Sequence, residues 1–351
     1  MINSDIIISP NATLFEALTQ MDKSDRKLLL VLDGNKFLSL ISIGDIQRAI
    51  LRKITLETPI NKVFRTGILV AKDTDDKKSV LQKMQEERIE FMPVIDSESN
   101  LVEVLFWNDY FQDKKITSGT KLGLPVVIMA GGEGTRLRPL TNIIPKPLIP
   151  IDDKTIVEDI MERFIDVGCN DFTFSVNYKA DKIKEYFRSI QDKNYSVSYI
   201  QEDTPLGTAG SLYLLKDKFK ETFFVSNCDI LVDVNLEDLL NYHKNNKNVI
   251  TVVSVLKNYK IPYGTIETSE NGMLQNLNEK PNIVYQINSG LYILEPEIFN
   301  YLPENKFMHI TDLILKLKES GMNVGVFPVS EGSWHDMGNW DEYLKLIKEK
   351  N

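Results

Sequence analysis

The segment VVIMAGGEGTRLRPLTNIIPKPLIP, residues 126–150, carries an apolar run straight into three glycines, two arginines and a proline-flanked lysine. Glycines at 131, 132 and 134 let successive backbone N–H groups turn toward one anion. Arg136 adds a forked donor suited to phosphate oxygens, and Lys146 adds a point charge. Pro145 and Pro147 stiffen the backbone that carries Lys146. These residue types in this order describe a phosphate cradle. Two well-known cradles do not fit. No Gly-Lys-Ser/Thr follows four spacers, and Leu137 stands where a dinucleotide-binding loop needs its third glycine.

A third kind does fit. Gly131-Gly132-Glu133-Gly134-Thr135-Arg136-Leu137-Arg138-Pro139-Leu140-Thr141, followed by Pro145-Lys146-Pro147-Leu148, resembles the signature of sugar-1-phosphate nucleotidyltransferases. The similarity extends over about residues 124–351, because further motifs fall in the family's order. The resemblance implies that Ala130, Gly131, Gly132, Gly134 and Thr135 cradle the nucleotide, that Arg136 holds its β- and γ-phosphates, and that Lys146 answers charge at the α-phosphorus. Gln201, Glu202, Pro205, Gly207 and Thr208, in QEDTPLGTAG, match the segment that holds the base. Gly207 would bring the ring close to the backbone, and Glu202 would accept from a guanine edge. The Leu-Gly-Thr-Ala-Gly run is similar to mannose-1-phosphate guanylyltransferases, which implies GTP; uridylyl- and thymidylyltransferases carry close relatives of it.

Asp229, ending FFVSNCDIL, and Asp336, in SWHDMGNW, match the family's pair of Mg²⁺ ligands. Hard oxygen donors beside a triphosphate suit that ion. Cys228 replaces the usual glycine before the first aspartate and would narrow the space there. Asn177, Gly264, Glu279, Lys280, Asn288 and Trp334 match acceptor-sugar positions, with Trp334 either stacking on the sugar or packing. The implied reaction joins an NTP to a sugar 1-phosphate and releases pyrophosphate. The acceptor oxygen is already ionised at neutral pH, so no histidine base is needed. Positioning and charge neutralisation carry such a transfer. His243, His309 and His335 accordingly form no hydrolase or zinc constellation.

The elements that must position these residues alternate. LPVVIMA, DFTFSVNY, SVSYIQE and TFFVSNCDI read as strands, separated by the helical stretches TIVEDIMERFIDVG, KADKIKEYF and GTAGSLYLLKDKF. VITVVSV, YGTIETS and VGVFPV extend the set, with ITDLILKLKESG and WDEYLKLIKEK as later helices. The pattern predicts an α/β, Rossmann-like domain on a mixed, mostly parallel sheet, with ligands at the carboxyl ends of its strands.

The first third repeats itself. Residues 1–57 and 58–115 each read strand, helix, strand, strand, helix, with Leu14, Ala17, Leu18 and Met21 on one helical face and Val80, Leu81 and Met84 on another. Asp33-Gly34 marks a hairpin. The repeat resembles a tandem CBS (Bateman-type) pair over residues 1–118, ahead of a catalytic domain at 119–351. Ser42 and Asp45 match the CBS contacts to a bound nucleotide, which implies a regulatory nucleotide there; the same two residues would equally cap a helix. In the second copy Asp109 is present but Phe106 replaces the hydroxyl. Polar, glycine-bearing residues 113–123 read as the linker. A CBS pair fused ahead of such a transferase resembles the glucosamine-1-phosphate guanylyltransferases of legionaminic acid synthesis, implying GTP and glucosamine 1-phosphate as substrates. Mannose 1-phosphate, or UTP and dTTP, remain open, as does a non-catalytic sugar-nucleotide sensor.

Composition bounds the rest. A net charge of −9 over 351 residues argues against a nucleic-acid partner. Two cysteines form neither a metal motif nor a disulfide framework, and no apolar run approaches a membrane span. With no leader visible, a cytoplasmic enzyme without a membrane partner is expected, and CBS pairs imply a homo-oligomer.

Overall fold

Leu14, Ala17, Leu18 and Met21 are all buried on one face of α1 (Leu14–Ser24), as their spacing requires. The structure, a computed structural model, describes residues 4–350 except 25, 87, 88, 90, 107–109, 111–120, 152 and 203. It divides into two units, Met1–Thr117 and Ser118–Asn351.

In the first unit β1 (Ile7–Ile8), α1, β2 (Leu28–Asp33), β3 (Lys36–Ser42) and α2 (Ile43–Leu51) follow one another. Strand β1 is parallel to β2, and β2 is antiparallel to β3. Their hairpin turns at Asp33-Gly34, where Gly34 has φ +60°, a conformation that glycine adopts without a Cβ penalty. The second copy repeats the plan with β4 (Ala71–Lys72), α3 (Lys77–Glu86), β5 (Phe91–Ile95) and β6 (Leu101–Phe106), again parallel and then antiparallel. Leu30, Leu32 and Phe37 of the first copy pack with Phe91, Ile95 and Phe106 of the second, so the repeat buries one shared apolar cluster. Asp109 and linker residues 113–120 lie outside the described residues.

The second unit begins with β7 (Val126–Ala130), the hairpin β8 (Pro150–Ile151) and β9 (Lys154–Thr155), α4 (Ile156–Ile165), β10 (Asp171–Val176), α5 (Ala180–Ser189) and β11 (Ser196–Gln201). Then come α6 (Gly207–Gly210), β12 (Phe223–Asn227), β13 (Ile230–Val232), α7 (Leu236–Asn245), β14 (Ile250–Lys260) and the hairpin β15 (Thr265–Thr268) and β16 (Leu274–Asn278). The chain closes with β17 (Asn282–Leu294), α8 (Ile310–Glu319), β18 (Val324–Ser330), β19 (Trp334–Asp336) and α9 (Trp340–Lys350). The main sheet runs β11-β10-β7-β12-β17-β14-β18. Strands β11, β10, β7 and β12 are parallel, β17 is antiparallel to β12 and β14, and β18 is parallel to β14. This is the mixed, mostly parallel α/β sheet that the alternation predicts.

Local chemistry explains the borders. Thr155 caps α4 in a reciprocal box: Glu158 accepts from the Thr155 backbone N–H at 2.8 Å while Thr155 Oγ1 accepts from Glu158 N at 3.4 Å. Such a cap contributes about 1 kcal/mol. Phe172 and Phe174 on β10 and Phe223 and Phe224 on β12 are fully buried, each contributing about 2 kcal/mol to holding helices on the sheet.

One sequence expectation is corrected, and one strand is present that the sequence pattern does not assign. The stretch Gly207–Phe219 is not one helix: α6 is a single turn followed by a 3₁₀ segment, Ser211–Leu215. Met308 O accepts from Ala209 N and Gly210 N, two first-turn donors that have no partner within the helix. Strand β17 also lies in the middle of the sheet although its sequence does not read as a strand. Asn288-Ser289-Gly290 interrupts its apolar pattern, and the pairing with β14 shifts register between Val252 and Ser254.

Candidate active site

Strand pairing brings two distant acids together. In the β13–β19 ladder Ile230 lies opposite Asp336, so Asp229, one residue earlier, stands at the same end. Met337 N donates to the Asp229 carbonyl at 2.9 Å and pins that end shut. A Cβ at Gly338 would fall 2.6 Å from Asp336 Oδ1, 2.8 Å from Arg136 Nη2 and 2.9 Å from Asp229 Oδ2. Two carboxylates and a guanidinium therefore crowd one point, and they can do so because residue 338 is glycine. Sequence reasoning missed Gly338; the signal available was a glycine two residues after the expected aspartate.

The cations of this site are held by its acids. Lys146 Nζ donates to Asp229 Oδ2, and both side chains are only 11% exposed. Arg136 Nη1 lies 3.7 Å from Asp336 Oδ2, with the arginine 61% exposed. Arg138 Nη2 donates to Glu133 Oε2 at 2.6 Å. The basic residues of the loop thus each face a carboxylate rather than forming a bare positive island. Burial first, and the Asp229 charge second, push the Cys228 thiol up to about 12, so it stays protonated and inert.

Among the described residues no three His, Cys, Asp or Glu side chains gather as a metal centre. Asp229 and Asp336 nevertheless aim oxygens at one shared point. That donor set fits Mg²⁺, which takes one or two carboxylates and fills its remaining positions with water and phosphate oxygens.

The glycine loop hangs from the end of β7, where Ala130 is buried. Gly134 has φ +65°, and a Cβ there would meet Thr141 Cγ2 at 2.8 Å and Lys146 Cβ at 3.3 Å. Only glycine lets the loop lie against the lysine. Gly132 would meet nothing within 4 Å, which leaves open space at the loop's crest. Thr135 is exposed and begins a 3₁₀ turn, Thr135–Leu137, whose Leu137 is buried. Thr141 Oγ1 donates to Gly134 O at 2.9 Å; Lys179 and Lys182 donate to Thr141 O at 3.0 Å and Ile143 O at 2.7 Å. These last two lysines were not singled out by sequence because their targets are carbonyls.

Several residues expected to touch the base are engaged within the chain. Glu202 is buried; Oε1 accepts from Ser175 Oγ at 2.7 Å and Oε2 from Leu206 N at 2.8 Å. A Cβ on Gly131 would sit 2.9 Å from Oε1. The expectation of a free base-reading carboxylate is corrected: Glu202 ties the loop at 202–206 to β10 and to the glycine loop. Gln201 is exposed and accepts from Lys184 Nζ at 2.6 Å. Pro205 is exposed at the loop tip. Gly207, at φ +75°, would place a Cβ 2.6 Å from Met308 O, and Gly210 one 2.4 Å from Lys306 O. These glycines admit the 306–308 backbone rather than a base. Ala209 N and Gly210 N donate to Met308 O at 3.0 Å and 3.2 Å, and Thr208 Oγ1 accepts from Ile310 N at 2.9 Å.

The expected acceptor residues divide. Asn177 Nδ2 donates to Glu202 O at 2.8 Å, so it belongs with the base loop. Glu279 and Lys280 are exposed; Glu279 Oε2 lies 3.0 Å from where a Gly264 Cβ would stand, so its carboxylate covers Gly264. Asn288 Oδ1 accepts from Gly290 N at 3.0 Å, and Trp334 Nε1 donates to Ser289 O at 3.2 Å. Lys257 Nζ sits 5.5 Å from the centre of the Trp334 ring. The indole N–H is thus bonded within the chain, and a cation lies over the ring.

In the first unit Ser42 and Asp45 cap α2 in a reciprocal box. Asp45 Oδ2 accepts from Ser42 N at 2.9 Å and Ser42 Oγ at 2.7 Å; Oδ1 accepts from Arg48 Nη2 at 2.5 Å and Arg65 Nε at 2.7 Å. Burial alone would raise this carboxyl, but bonds from Arg65, Ser42 and Arg48 outweigh it and hold the carboxyl below its usual value. Of the two roles the sequence allows for Ser42 and Asp45, the helix cap is the one this geometry displays, with four donors on the Asp45 oxygens.

The nucleotidyl transferase family model matches residues 125–351, and the CBS domain model matches residues 1–52. A UTP–glucose-1-phosphate uridylyltransferase of Synechocystis sp. is 30% identical over 244 residues, covering 64% of this chain and 63% of its own. A mannose-1-phosphate guanylyltransferase catalytic subunit beta of Dictyostelium discoideum is 32% identical over 227 residues, 63% of each chain. The chain spans about 63% of the length of these relatives. The crystal structure of HddC from Yersinia pseudotuberculosis is similar at a TM-score of 0.52 and 27% identity, covering 65% of this chain and 100% of HddC.

Proposed function

We propose, for a chain that belongs to the nucleotidyl transferase family, that it moves a nucleotidyl group from an NTP to a sugar 1-phosphate and releases pyrophosphate. The observation that carries this reading is the convergence of Asp229, Asp336 and Arg136 on one point, with Lys146 bound to the first of them. An acceptor phosphate oxygen attacks the α-phosphorus; that P–O bond forms as the bond to the bridging β-oxygen breaks, and pyrophosphate leaves with the electron pair. Acceptor phosphate is ionised at neutral pH, so no proton has to be removed. Lys146 neutralises charge building at the α-phosphoryl group. Arg136 and the loop amides around Gly132 hold the departing phosphates. Mg²⁺ held by Asp229 and Asp336 would neutralise further phosphate charge. The Glu202 clamp fixes the base loop through Leu206 and Ser175, so the base meets a surface that does not reorganise.

GTP and glucosamine 1-phosphate are our choice of substrates. Support for GTP comes from the Leu206–Gly210 run and from guanylyltransferase relatives such as that of Dictyostelium discoideum. Support for glucosamine 1-phosphate comes from the pairing of a CBS unit with the transferase unit. The Synechocystis relative favours UTP with glucose 1-phosphate as the second reading. Pyrophosphate release from each NTP, against a panel of sugar 1-phosphates, decides. Fastest release from GTP with glucosamine 1-phosphate is expected; fastest release from UTP moves the assignment to the second reading, and none from any pair removes the enzyme.

A further inference from the structure

We infer that the carboxylate pair is kept closed by the chain's own cations, Lys146 on Asp229 and Arg136 beside Asp336, so that a divalent ion enters only with the triphosphate that draws those cations off. The inference rests on the reading above. The two cations that hold phosphates during transfer are the two that hold the carboxylates in the chain by itself. Charge counting then decides between the states. Two carboxylates, one ammonium and one guanidinium sum to zero. A divalent ion added alone leaves two uncompensated positive charges around a site where the Lys146 and Asp229 side chains are mostly buried. An ion that arrives with a triphosphate brings the negative charge that Lys146 and Arg136 then bind.

Burial makes the difference matter. An unpaired carboxylate at Asp229 is strongly disfavoured, so some cation must always sit on it. Lys146 is that cation until the ion replaces it. Gly338 lets Asp336 Oδ1, Arg136 Nη2 and Asp229 Oδ2 all come within 2.9 Å of where a Cβ would stand, so acids and cations are held at close quarters. Ion and nucleotide are therefore positively coupled, each raising the other's affinity by the same factor. Lys146 and Arg136 thereby control metal entry in addition to their roles in transfer.

Mn²⁺ binding to the full-length protein without nucleotide, read by electron paramagnetic resonance, tests this with the ion alone as probe. Wild type should bind weakly. Lys146→Met should bind about tenfold or more tightly, the scale of removing one like charge from a partly buried site. Arg136→Ala should bind a fewfold more tightly, and because Arg136 is exposed this variant folds whatever happens to Lys146→Met. Adding Asp229→Asn to Lys146→Met should abolish the gain. Wild-type or weaker Mn²⁺ affinity in both single variants overturns the inference and makes the ion pairs structural. A wild type that releases pyrophosphate while both variants bind no tighter removes this inference alone. Absence of both Mn²⁺ binding and pyrophosphate release in every form removes the proposed function with it.

Discussion

Asp45 in the first unit and Asp229 in the second are buried alike, at 6% and 7% exposure, and each is paired with basic side chains. Their surroundings differ. Asp45 takes four donors, two of them from Ser42 in the same helix cap. Asp229 has one lysine and, close by against Gly338, the oxygen of Asp336. A carboxylate with every oxygen committed holds structure together; one held by a single exchangeable cation is available for chemistry. Equal burial thus accompanies different hydrogen-bond inventories, and substitutions test whether the roles differ with them.

The comparison breaks most visibly at Lys146. Lys146→Ala should lower the rate of pyrophosphate release about 10²–10³-fold, the loss for one charge-stabilising donor. Its melting transition, followed by circular dichroism, should still be cooperative; turnover near the wild-type rate would place Lys146 with the structural residues.

A smaller effect of the opposite kind is expected in the first unit. Asp45→Ala should destabilise that unit by about 2 kcal/mol in urea titration, below the usual range for a broken buried pair because Arg48 and Arg65 are half exposed. Transfer activity at neutral pH and low temperature should be unchanged.

Acid sharpens the contrast. Asp45 is held below its usual carboxyl value, so its contribution is complete above about pH 4, the value of an unfolded aspartate, and is lost as pH falls through the lower folded value. Asp45→Asn should therefore flatten the decline of stability below about pH 4, by up to one proton in the slope. An unchanged slope would mean the carboxyl is not held by Arg65, Ser42 and Arg48. Smallest of all, Ser42→Ala should cost about 1 kcal/mol of thermal stability through the lost cap, with Asp45 still paired to its arginines.

Much of the fold was legible because its causes are local. The spacing of Leu14, Ala17, Leu18 and Met21 marks a helix face, Asp33-Gly34 marks a turn, and Thr155 with Glu158 marks a helix start. Strand β17 was not legible, because Asn288-Ser289-Gly290 breaks the pattern and its neighbours β12 and β14 come from elsewhere in the chain. At the site, the residue types of the phosphate loop and the two aspartates could be read from motifs, but their partners could not. Glu202 looks like a base reader until Ser175 and Leu206 N–H are seen to claim both oxygens. Gly207 and Gly210 look like room for a ligand until the 306–308 backbone fills it. Asp45 reads as a ribose contact or a cap, and nothing local shows that Arg65, twenty residues on, reaches it. In each case a residue from another element supplied what the local sequence left open.

The central claim is that the acids gathered at Gly338 serve transfer. Pyrophosphate release from GTP and glucosamine 1-phosphate, measured as Mg²⁺ is raised for wild type, Asp229→Asn and Asp336→Asn, tests it most directly. Wild type should release pyrophosphate only with Mg²⁺, and each variant should lose about 10²-fold or more, with melting temperatures little changed. Release that is independent of the ion, or that survives both substitutions, would contradict it.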